Sequence, residues 1–307
     1  MFDILITGGA GFIGTSLAKK IKKMGHNVAI IDLESKFTSV HDEYKRFSVD
    51  IRDYKNFEAV PKGKFDYIFH LAAQTSGAIS QEQPELDVET NVRGTLNVCN
   101  FARSRKVKKI IFSSSVAPYG NKQGSINEKS FLDPLSNYGV SKVAGEVYIK
   151  MFKQFGVENT IFRLFNVYGP GQDMLNLRQG MASIFMAQSI LSNKIEVTGS
   201  FDRYRDFVYI DDVVDALLFG LRKECDSQIY NVGSQNSTTV RELIDLIIKV
   251  NSRLSQNFEV VNIGSHDGDQ FGSVSDSSKL MSLGWSANIK LKDGLFKMYQ
   301  YAKEALT

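Results

Sequence analysis

Tyr138 and Lys142 stand four residues apart in Ser136-Asn-Tyr-Gly-Val-Ser-Lys, a spacing that puts both side chains on one face of a helix. A phenol with an ordinary pKa of about 10 is a poor base near neutrality, but an adjacent ammonium favours the phenolate and makes it a usable one. Taken alone, the pair is also compatible with an amphipathic tyrosine lying beside a surface lysine. A run of hydroxyls, Ser113-Ser114-Ser115, followed by Val116-Ala117-Pro118-Tyr119-Gly120, ends an apolar stretch that reads as a strand. At the C-terminal edge of a parallel sheet such hydroxyls would face a ligand; otherwise they form a polar loop.

The third constellation is Thr7-Gly8-Gly9-Ala10-Gly11-Phe12-Ile13-Gly14, placed between an apolar strand and a helix-period segment. Gly8, Gly11 and Gly14 allow a tight turn and let the backbone approach a pyrophosphate at a helix N-terminus, where unpaired N–H groups favour an anion. Asp32 ends the second strand, 18 residues after Gly14. A carboxylate there accepts from both ribose hydroxyls of an adenosine and repels a 2′-phosphate, so the expected cofactor is NAD rather than NADP. A bound nicotinamide would add its positive charge to that of Lys142 in favouring the Tyr138 phenolate. Asp50-Ile51 closes the next strand on the same edge, where the carboxylate could accept from the adenine amino group.

These groups need a scaffold that brings strand ends together. The first half of the chain alternates accordingly: strands at Ile4–Thr7, Val28–Asp32, Arg46–Asp50, Tyr67–Ala72, Lys109–Ser113 and Asn159–Leu164, with helices at about Gly11–Gly25, Glu85–Lys106 and Asn137–Phe155. Such alternation predicts a Rossmann-type α/β fold, a doubly wound parallel sheet with right-handed crossovers. Beyond Asn166 the pattern turns irregular: a Gly/Pro stretch at Tyr168–Gln172, helices at Met181–Asn193, Asp211–Arg222 and Val240–Asn251, short strands at Ile195–Thr198, Phe207–Tyr209 and Ile229–Val232, and a mixed tail from Phe258. The expected organisation is a dinucleotide domain over residues 1–165, receiving elements from about 206–233, and an interleaved, smaller mixed α/β substrate domain over 166–307.

Composition bounds the remaining possibilities. With 43% hydrophobic and 23% charged residues the chain is an ordinary globular one, neither disordered nor collagen-like, and a net charge of +3 points to no nucleic acid or anionic membrane. Arg103, Arg105, Lys106, Lys108 and Lys109 read as the solvated C-terminal turn of a helix. Cys99 and Cys225 form no pairing framework, and His26, His41, His70 and His266 are scattered, so no metal site is expected. The apolar N-terminus has no basic leader and no apolar run reaches membrane-spanning length, which predicts a cytoplasmic, membrane-free protein.

In this order along the chain, the motifs resemble those of the extended short-chain dehydrogenases/reductases and are most similar to the UDP-hexose (UDP-glucose or UDP-N-acetylglucosamine) 4-epimerases. The matching stretches are Thr7–Gly14, Asp50–Asp53, His70-Leu-Ala-Ala73, Asn91-Val-Arg-Gly-Thr, Ser113–Gly120, Tyr138–Lys142, Arg163-Leu-Phe-Asn166-Val-Tyr-Gly-Pro-Gly, Arg205-Asp-Phe-Val-Tyr-Ile-Asp-Asp212 and Leu283-Gly-Trp285. The resemblance implies that Gly8, Gly11, Phe12, Ile13, Gly14, Asp32, Asp50, Ile51, Leu71, Ala72, Ala73, Asn91 and Ser113 line the NAD site. It makes Tyr138 the base at the sugar 4-hydroxyl, Ser115 its hydrogen-bonding partner there, and Lys142 the group that holds the nicotinamide ribose. An oxidised 4-keto sugar would then turn over and be reduced on its other face, with NAD retained throughout. Related dehydratases carry an Asp-Glu pair after the serine and decarboxylases an acid at the second position; here Val116-Ala117 cannot exchange protons. Related 3,5-epimerase/reductases use a cysteine near this strand end, and none is present there.

For the substrate, a UDP-sugar in preference, the resemblance implies ligands at Ser114, Ser115, Asn166, Arg205, Asp269 and Ser273, with Asn166 and Arg205 on the diphosphate. Arg205-Asp206 could instead be a surface ion pair. His266 stands where relatives have a second phosphate-binding arginine, and Arg178 is a candidate substitute. Ser273 occupies the position of a bulky tyrosine in epimerases restricted to plain hexoses, so room for a 2-acetamido group is expected. The resemblance also implies a homodimer formed through helices at about Glu85–Lys106 and Asn137–Phe155, whose apolar faces could otherwise pack on the sheet. Two rivals share the site: a one-way NAD(P)-linked nucleotide-sugar reductase or dehydrogenase that exchanges its cofactor, and a non-catalytic NAD sensor.

Overall fold

The computed structural model describes residues 1–192, 194–251, 258–264 and 271–306. The chain divides into two compact units, one of Met1–Pro118, Ser136–Arg163 and Val214–Tyr230, the other of Tyr119–Leu135, Leu164–Val213 and Asn231–Thr307.

The first unit is built on a seven-stranded parallel sheet in the order Gln228–Val232, Glu158–Leu164, Lys109–Ser115, Tyr67–His70, Asp3–Thr7, Asn27–Asp32, Lys45–Ser48. Continuous apolar runs form its centre because helices cover both faces, leaving no face for alternating polar residues. Leu5, Ile31, Ile68, Ile110, Phe112 and Ile161 are buried in one cluster with Val98, Phe101 and Ile149 from the covering helices. Each strand was expected to within about two residues at either end, and the doubly wound parallel sheet is as anticipated.

Three departures bear on the site. The segment expected as one helix over Glu85–Lys106 is an α-helical turn at Pro84–Asp87, a π-helical turn at Val88–Arg93 and a helix at Gly94–Ser104. The wide turn accompanies the Asn91 side chain, which reaches away from the helix to bridge the backbone N–H and C=O of Gln74, both at 2.8 Å. Secondly, the basic cluster is not uniformly solvated. Lys109 is buried in its strand, donating to the carbonyls of Gly220 (2.9 Å) and Arg222 (2.8 Å) and pairing with Asp226, so it caps the end of a helix distant in sequence. Arg103 stacks on Phe155, 4.4 Å from the ring centroid, and Arg105 donates to the Val60 carbonyl at 2.8 Å. Thirdly, in Asn137–Met151 only one face packs inward, through Lys142, Gly145, Glu146 and Ile149. Val140, Val147 and Met151, at helical spacing on the opposite face, are exposed, as is Phe155 in the 3₁₀ turn that follows.

The second unit holds four strand pairs: Ser125–Ile126 with Val274–Ser275, Asn166–Tyr168 with Phe207–Tyr209, Lys194–Val197 with Glu259–Asn262, and Tyr204–Arg205 with Thr238–Thr239. Its helices include Met181–Leu191, Val240–Val250 and Leu291–Leu306. Thr239 and Glu242 cap the second of these reciprocally, the Glu242 N–H donating to Thr239 Oγ1 (3.1 Å) and the Thr239 N–H to Glu242 Oε2 (2.8 Å). Asp212 accepts from the N–H groups of Asn288 and Ile289 (both 3.1 Å) while its carbonyl takes the Trp285 indole N–H (2.9 Å), which ties the Asp-Asp and Leu-Gly-Trp motifs together. Among the described residues no helix is long and apolar enough to cross a membrane, and no group of His, Cys, Asp and Glu side chains is arranged to hold a metal.

Candidate active site

The glycine loop is shaped by what it excludes. Gly8 has φ +69°, and a Cβ there would stand 2.6 Å from the Ala72 nitrogen; a Cβ on Gly14 would be 2.1 Å from the Gly8 carbonyl oxygen. Only glycine lets the loop fold over the end of its strand against Leu71-Ala72 and seat the helix Phe12–Lys23 on the turn. Asp32 holds the other side, Oδ2 accepting from the Ala10 N–H (3.0 Å) and Oδ1 from that of Leu33 (2.8 Å). Burial raises its pKa, against those two backbone hydrogen bonds.

Beneath the loop runs a chain of hydrogen bonds absent from the sequence reading. Thr7 Oγ1 lies 2.7 Å from His70 Nδ1, His70 Nε2 lies 3.0 Å from Thr95 Oγ1, and the Thr95 hydroxyl donates to the Asn91 carbonyl at 2.6 Å. Since the Thr95 proton is committed to Asn91, we assign the Nε2–H tautomer to His70, donating to Thr95 and accepting at Nδ1 from Thr7. Burial, with the Lys142 charge adding to it, pushes the imidazole down to about 3 and keeps it neutral. Thr7 Oγ1 in turn accepts from the Ala72 N–H at 3.2 Å.

The helix Asn137–Met151 starts on a Ser136 cap, whose Oγ accepts from the Gly139 N–H at 3.1 Å, so Tyr138 sits in the first turn. Ser115 Oγ accepts from the Ala117 N–H at 3.2 Å, and the Ser115 side chain acts on the Tyr138 phenol to lower its pKa. One turn on, Lys142 Nζ donates to the Ser113 carbonyl (2.9 Å), 5.0 Å from the Phe112 ring centroid and 5.8 Å from that of Tyr138. Tyr138, Lys142, Ser113 and Ser115 are thus brought together. Burial pushes the Tyr138 phenol up to about 12, the Ser115 side chain opposing it and the Asp87 charge adding to it. Burial pushes the Lys142 ammonium down to about 8, resisted by the carboxylates of Asp87 and Glu146.

Ser114 has a partner that its sequence neighbours do not suggest. Strand side chains alternate, so it points away from the side shared by Ser113 and Ser115; it is buried and its hydroxyl donates to Glu146 Oε1 at 2.6 Å. Glu146 also takes a bidentate pair from Arg163, Nε at 2.9 Å and Nη2 at 2.7 Å. Ser114 therefore supports the strand end from behind. Asp50 has a partner the sequence did not suggest, the Arg52 guanidinium, whose Nη2 lies 2.6 Å from Oδ2 and which lowers the carboxyl pKa. Ile51 is buried with its carbonyl accepting from Asn97 Nδ2 at 2.8 Å. Ala73 follows Ala72 off the strand end beside the glycine loop, and Phe12 and Ile13 begin the first helix.

In the second unit, the fully buried Asp206 organises the expected diphosphate ligands. Its carboxylate accepts from the N–H and hydroxyl of Ser234 (both 2.7 Å), the N–H of Gln235 (3.1 Å), and the N–H (2.9 Å) and hydroxyl (2.6 Å) of Ser275. Asp206 is thus an internal anchor, which removes the surface ion-pair alternative for Arg205-Asp206. Asn166 Nδ2 donates to the Asp206 carbonyl (3.1 Å), and Arg205 Nη1 to the carbonyls of Tyr204 (2.8 Å) and Phe271 (3.2 Å), two residues before the buried Ser273. Arg178 is exposed on the loop before Met181–Leu191. His266 and Asp269 lie outside the described residues.

Comparison with known proteins agrees with this geometry. The NAD dependent epimerase/dehydratase family profile matches residues 4–233. A UDP-glucose 4-epimerase of Mycolicibacterium smegmatis is 31% identical over 309 residues, covering 97% of each chain. The crystal structure of a Thermotoga maritima UDP-glucose 4-epimerase with UDP-glucose superposes with a TM-score of 0.89 at 32% identity, over 99% of this chain and 100% of that one. That of Thermus thermophilus UDP-glucose 4-epimerase complexed with NAD gives 0.86 at 29% identity, over 99% and 100%. The chain belongs to the NAD dependent epimerase/dehydratase family, within the extended short-chain dehydrogenases/reductases, and its cofactor is NAD.

Proposed function

We propose that the protein is a nucleotide-sugar 4-epimerase acting on a UDP-hexose or UDP-N-acetylhexosamine. The observation that carries this reading is Tyr138 and Lys142 on one helix face, the ammonium 5.8 Å from the phenol ring centroid, with Ser115 acting on the phenol and two side chains without exchangeable protons, Val116 and Ala117, directly after the serine. Dehydration or decarboxylation would need an acid or base at those positions; shuttling hydrogen at one carbon needs only the tyrosine and its support.

NAD, when bound, supplies the hydride acceptor and donor. Gly8, Gly11 and Gly14 seat its pyrophosphate, Asp32 the adenosine ribose, and Lys142 the nicotinamide ribose. Tyr138 takes the proton of the 4-hydroxyl at its Oη and gives it back to the same oxygen once the 4-keto sugar has turned over and C4 has been reduced on its other face. Ser115 orients that oxygen. With a phenol near 12 and an ammonium near 8, the proton leaves Tyr138 readily only when positive charge gathers beside it, which confines base strength to the loaded enzyme. Asn166 and Arg205 hold the diphosphate, and the small Ser273 admits a 2-acetamido group. The exposed stripe of Val140, Val147, Met151 and Phe155 supports a homodimer through this helix.

Purified protein given UDP-glucose without added cofactor should form UDP-galactose over many turnovers, and Tyr138→Phe should abolish this. A single stoichiometric reduction of bound NAD that stops would instead establish a reductase or dehydrogenase with exchangeable cofactor. Unchanged behaviour of Tyr138→Phe, with no turnover in either, would leave the sensor.

A further inference from the structure

Asp87 is a buried acid that no motif singles out. It is fully buried in the α-helical turn before the π-helical turn, and its Oδ1 accepts from Gln74 Nε2 (2.8 Å) and Asn91 Nδ2 (3.1 Å). Its Oδ2 is buried with no hydrogen-bond partner. The same Asn91 nitrogen lies 3.1 Å from Ser141 Oγ, and the Ser141 hydroxyl donates to the Tyr138 carbonyl at 3.0 Å. Among the described residues the hydrogen-bond partners of Asp87 are neutral, and the contacts lead to the helical turn that carries Tyr138.

The charges facing Lys142 can be compared one by one. Glu146, on the same helix, is matched by its bidentate Arg163, so the two largely cancel at a distance. His70, on the neighbouring strand, is neutral, and Tyr138 is a neutral phenol until it acts. Asp87, on the preceding helical turn, has no cationic hydrogen-bond partner among the described residues. A buried carboxyl held only by neutral donors is costly to ionise, and burial does raise its pKa, with Ser141, Gln74 and the Lys142 charge pulling the other way.

We propose that Asp87 is a positioning residue of the Tyr138–Lys142 pair, the uncompensated buried negative charge that holds Lys142 as a cation beside the reacting phenol. The proposal rests on the reading of Tyr138 and Lys142 as base and cation. Asp87 stabilises positive charge on Lys142 and opposes negative charge on Tyr138. Removing it therefore lowers both titrations and slides the whole activity profile toward acid.

Asp87→Asn preserves shape and the acceptor for Gln74 and Asn91 while deleting the charge. The kcat for UDP-glucose epimerisation by the NAD-loaded enzyme, followed from pH 5.5 to 10 by the procedure of limb fitting, should show both limbs displaced downward by about one pH unit. Activity then falls roughly tenfold on the alkaline side while being kept or raised on the acid side. Asp87→Glu, which restores the charge, should return the limbs to their original positions even if kcat is reduced. Limbs that stay in place, or an equal loss at every pH, would show a merely structural residue and overturn the proposal. Should Asp87→Asn not fold, Asp87→Ser is to give the same displacement, and failure of both variants to yield NAD-loaded protein also overturns it. Tyr138→Phe and Lys142→Met separate the two levels: if these remain active the reading of the pair fails, whereas if they are inactive and the limbs of Asp87→Asn do not move, only the Asp87 inference fails.

Discussion

The Glu146–Arg163 pair offers a quantitative test of how the site is held from behind. Both residues are almost wholly buried, at 1% and 3% exposure, and joined by two charged hydrogen bonds, with Ser114 as a third donor to the carboxylate. Glu146→Gln keeps an acceptor for Ser114 but turns an amide NH₂ toward the guanidinium and takes away the carboxylate that faces it. Breaking a buried pair from one side costs about 3–5 kcal/mol. For a chain of this size that lowers the melting temperature by roughly 6–10 °C. Glu146→Leu combined with Arg163→Met removes both charges together, so no buried charge loses its counter-ion, although the acceptor for Ser114 is lost at about 1–3 kcal/mol. The double variant should therefore melt above Glu146→Gln. Calorimetry at fixed NAD concentration checks the order, because ligand binding shifts every midpoint by mass action. A double variant less stable than Glu146→Gln would refute the picture of a buried charge that has lost the carboxylate facing it. The same substitution has a catalytic signature: Arg163, without that carboxylate, joins the desolvation that already depresses Lys142, and the alkaline limb of the activity profile should move down.

His70, neutral in the folded state with a pKa near 3 against 6.5 when unfolded, makes stability fall with acidity: below 6.5 only the unfolded chain takes up the proton, so its contribution is complete above 6.5 and is lost as pH drops toward 3. The slope is up to roughly 1.4 kcal/mol per pH unit, and His70→Asn should show a shallower acid dependence in urea unfolding; equal slopes would contradict the assignment. Ser273→Tyr should lower kcat/KM for UDP-N-acetylglucosamine by about tenfold or more while largely sparing UDP-glucose, and equal effects on both sugars would remove Ser273 as a specificity residue. Val147→Asp, placing a charge in the exposed stripe, should yield a monomer by light scattering with the fold intact; an unchanged mass would move the interface elsewhere.

What could be read in advance divides by the range of the interactions that decide it. The strands were legible because each central one is a continuous apolar run, and the glycine loop because close backbone approach leaves a local mark in the residues that permit it. Helical periodicity put Tyr138 and Lys142 on one face, and the motifs around them gave the pair its chemical reading. The supports were not, because each acquires its meaning from a partner far along the chain. Lys109 looks like one more surface cation until Gly220 and Arg222 present their carbonyls, 111 and 113 residues away. His70 is a lone histidine in sequence; Thr7 and Thr95, 63 and 25 residues off, turn it into the joint between the glycine loop and the covering helix. Ser114 was grouped with its neighbours because three hydroxyls in a row look equivalent, although strand parity divides them and Glu146, 32 residues on, accounts for the middle one. Asp87 belongs to no motif, and only Gln74 and Asn91, met in the fold, mark it as an interior acid. The reacting groups thus declare themselves through residue type at short spacing. The residues that set their charge and orientation are ordinary polar residues, and only the folded neighbourhood shows which of them act on the site.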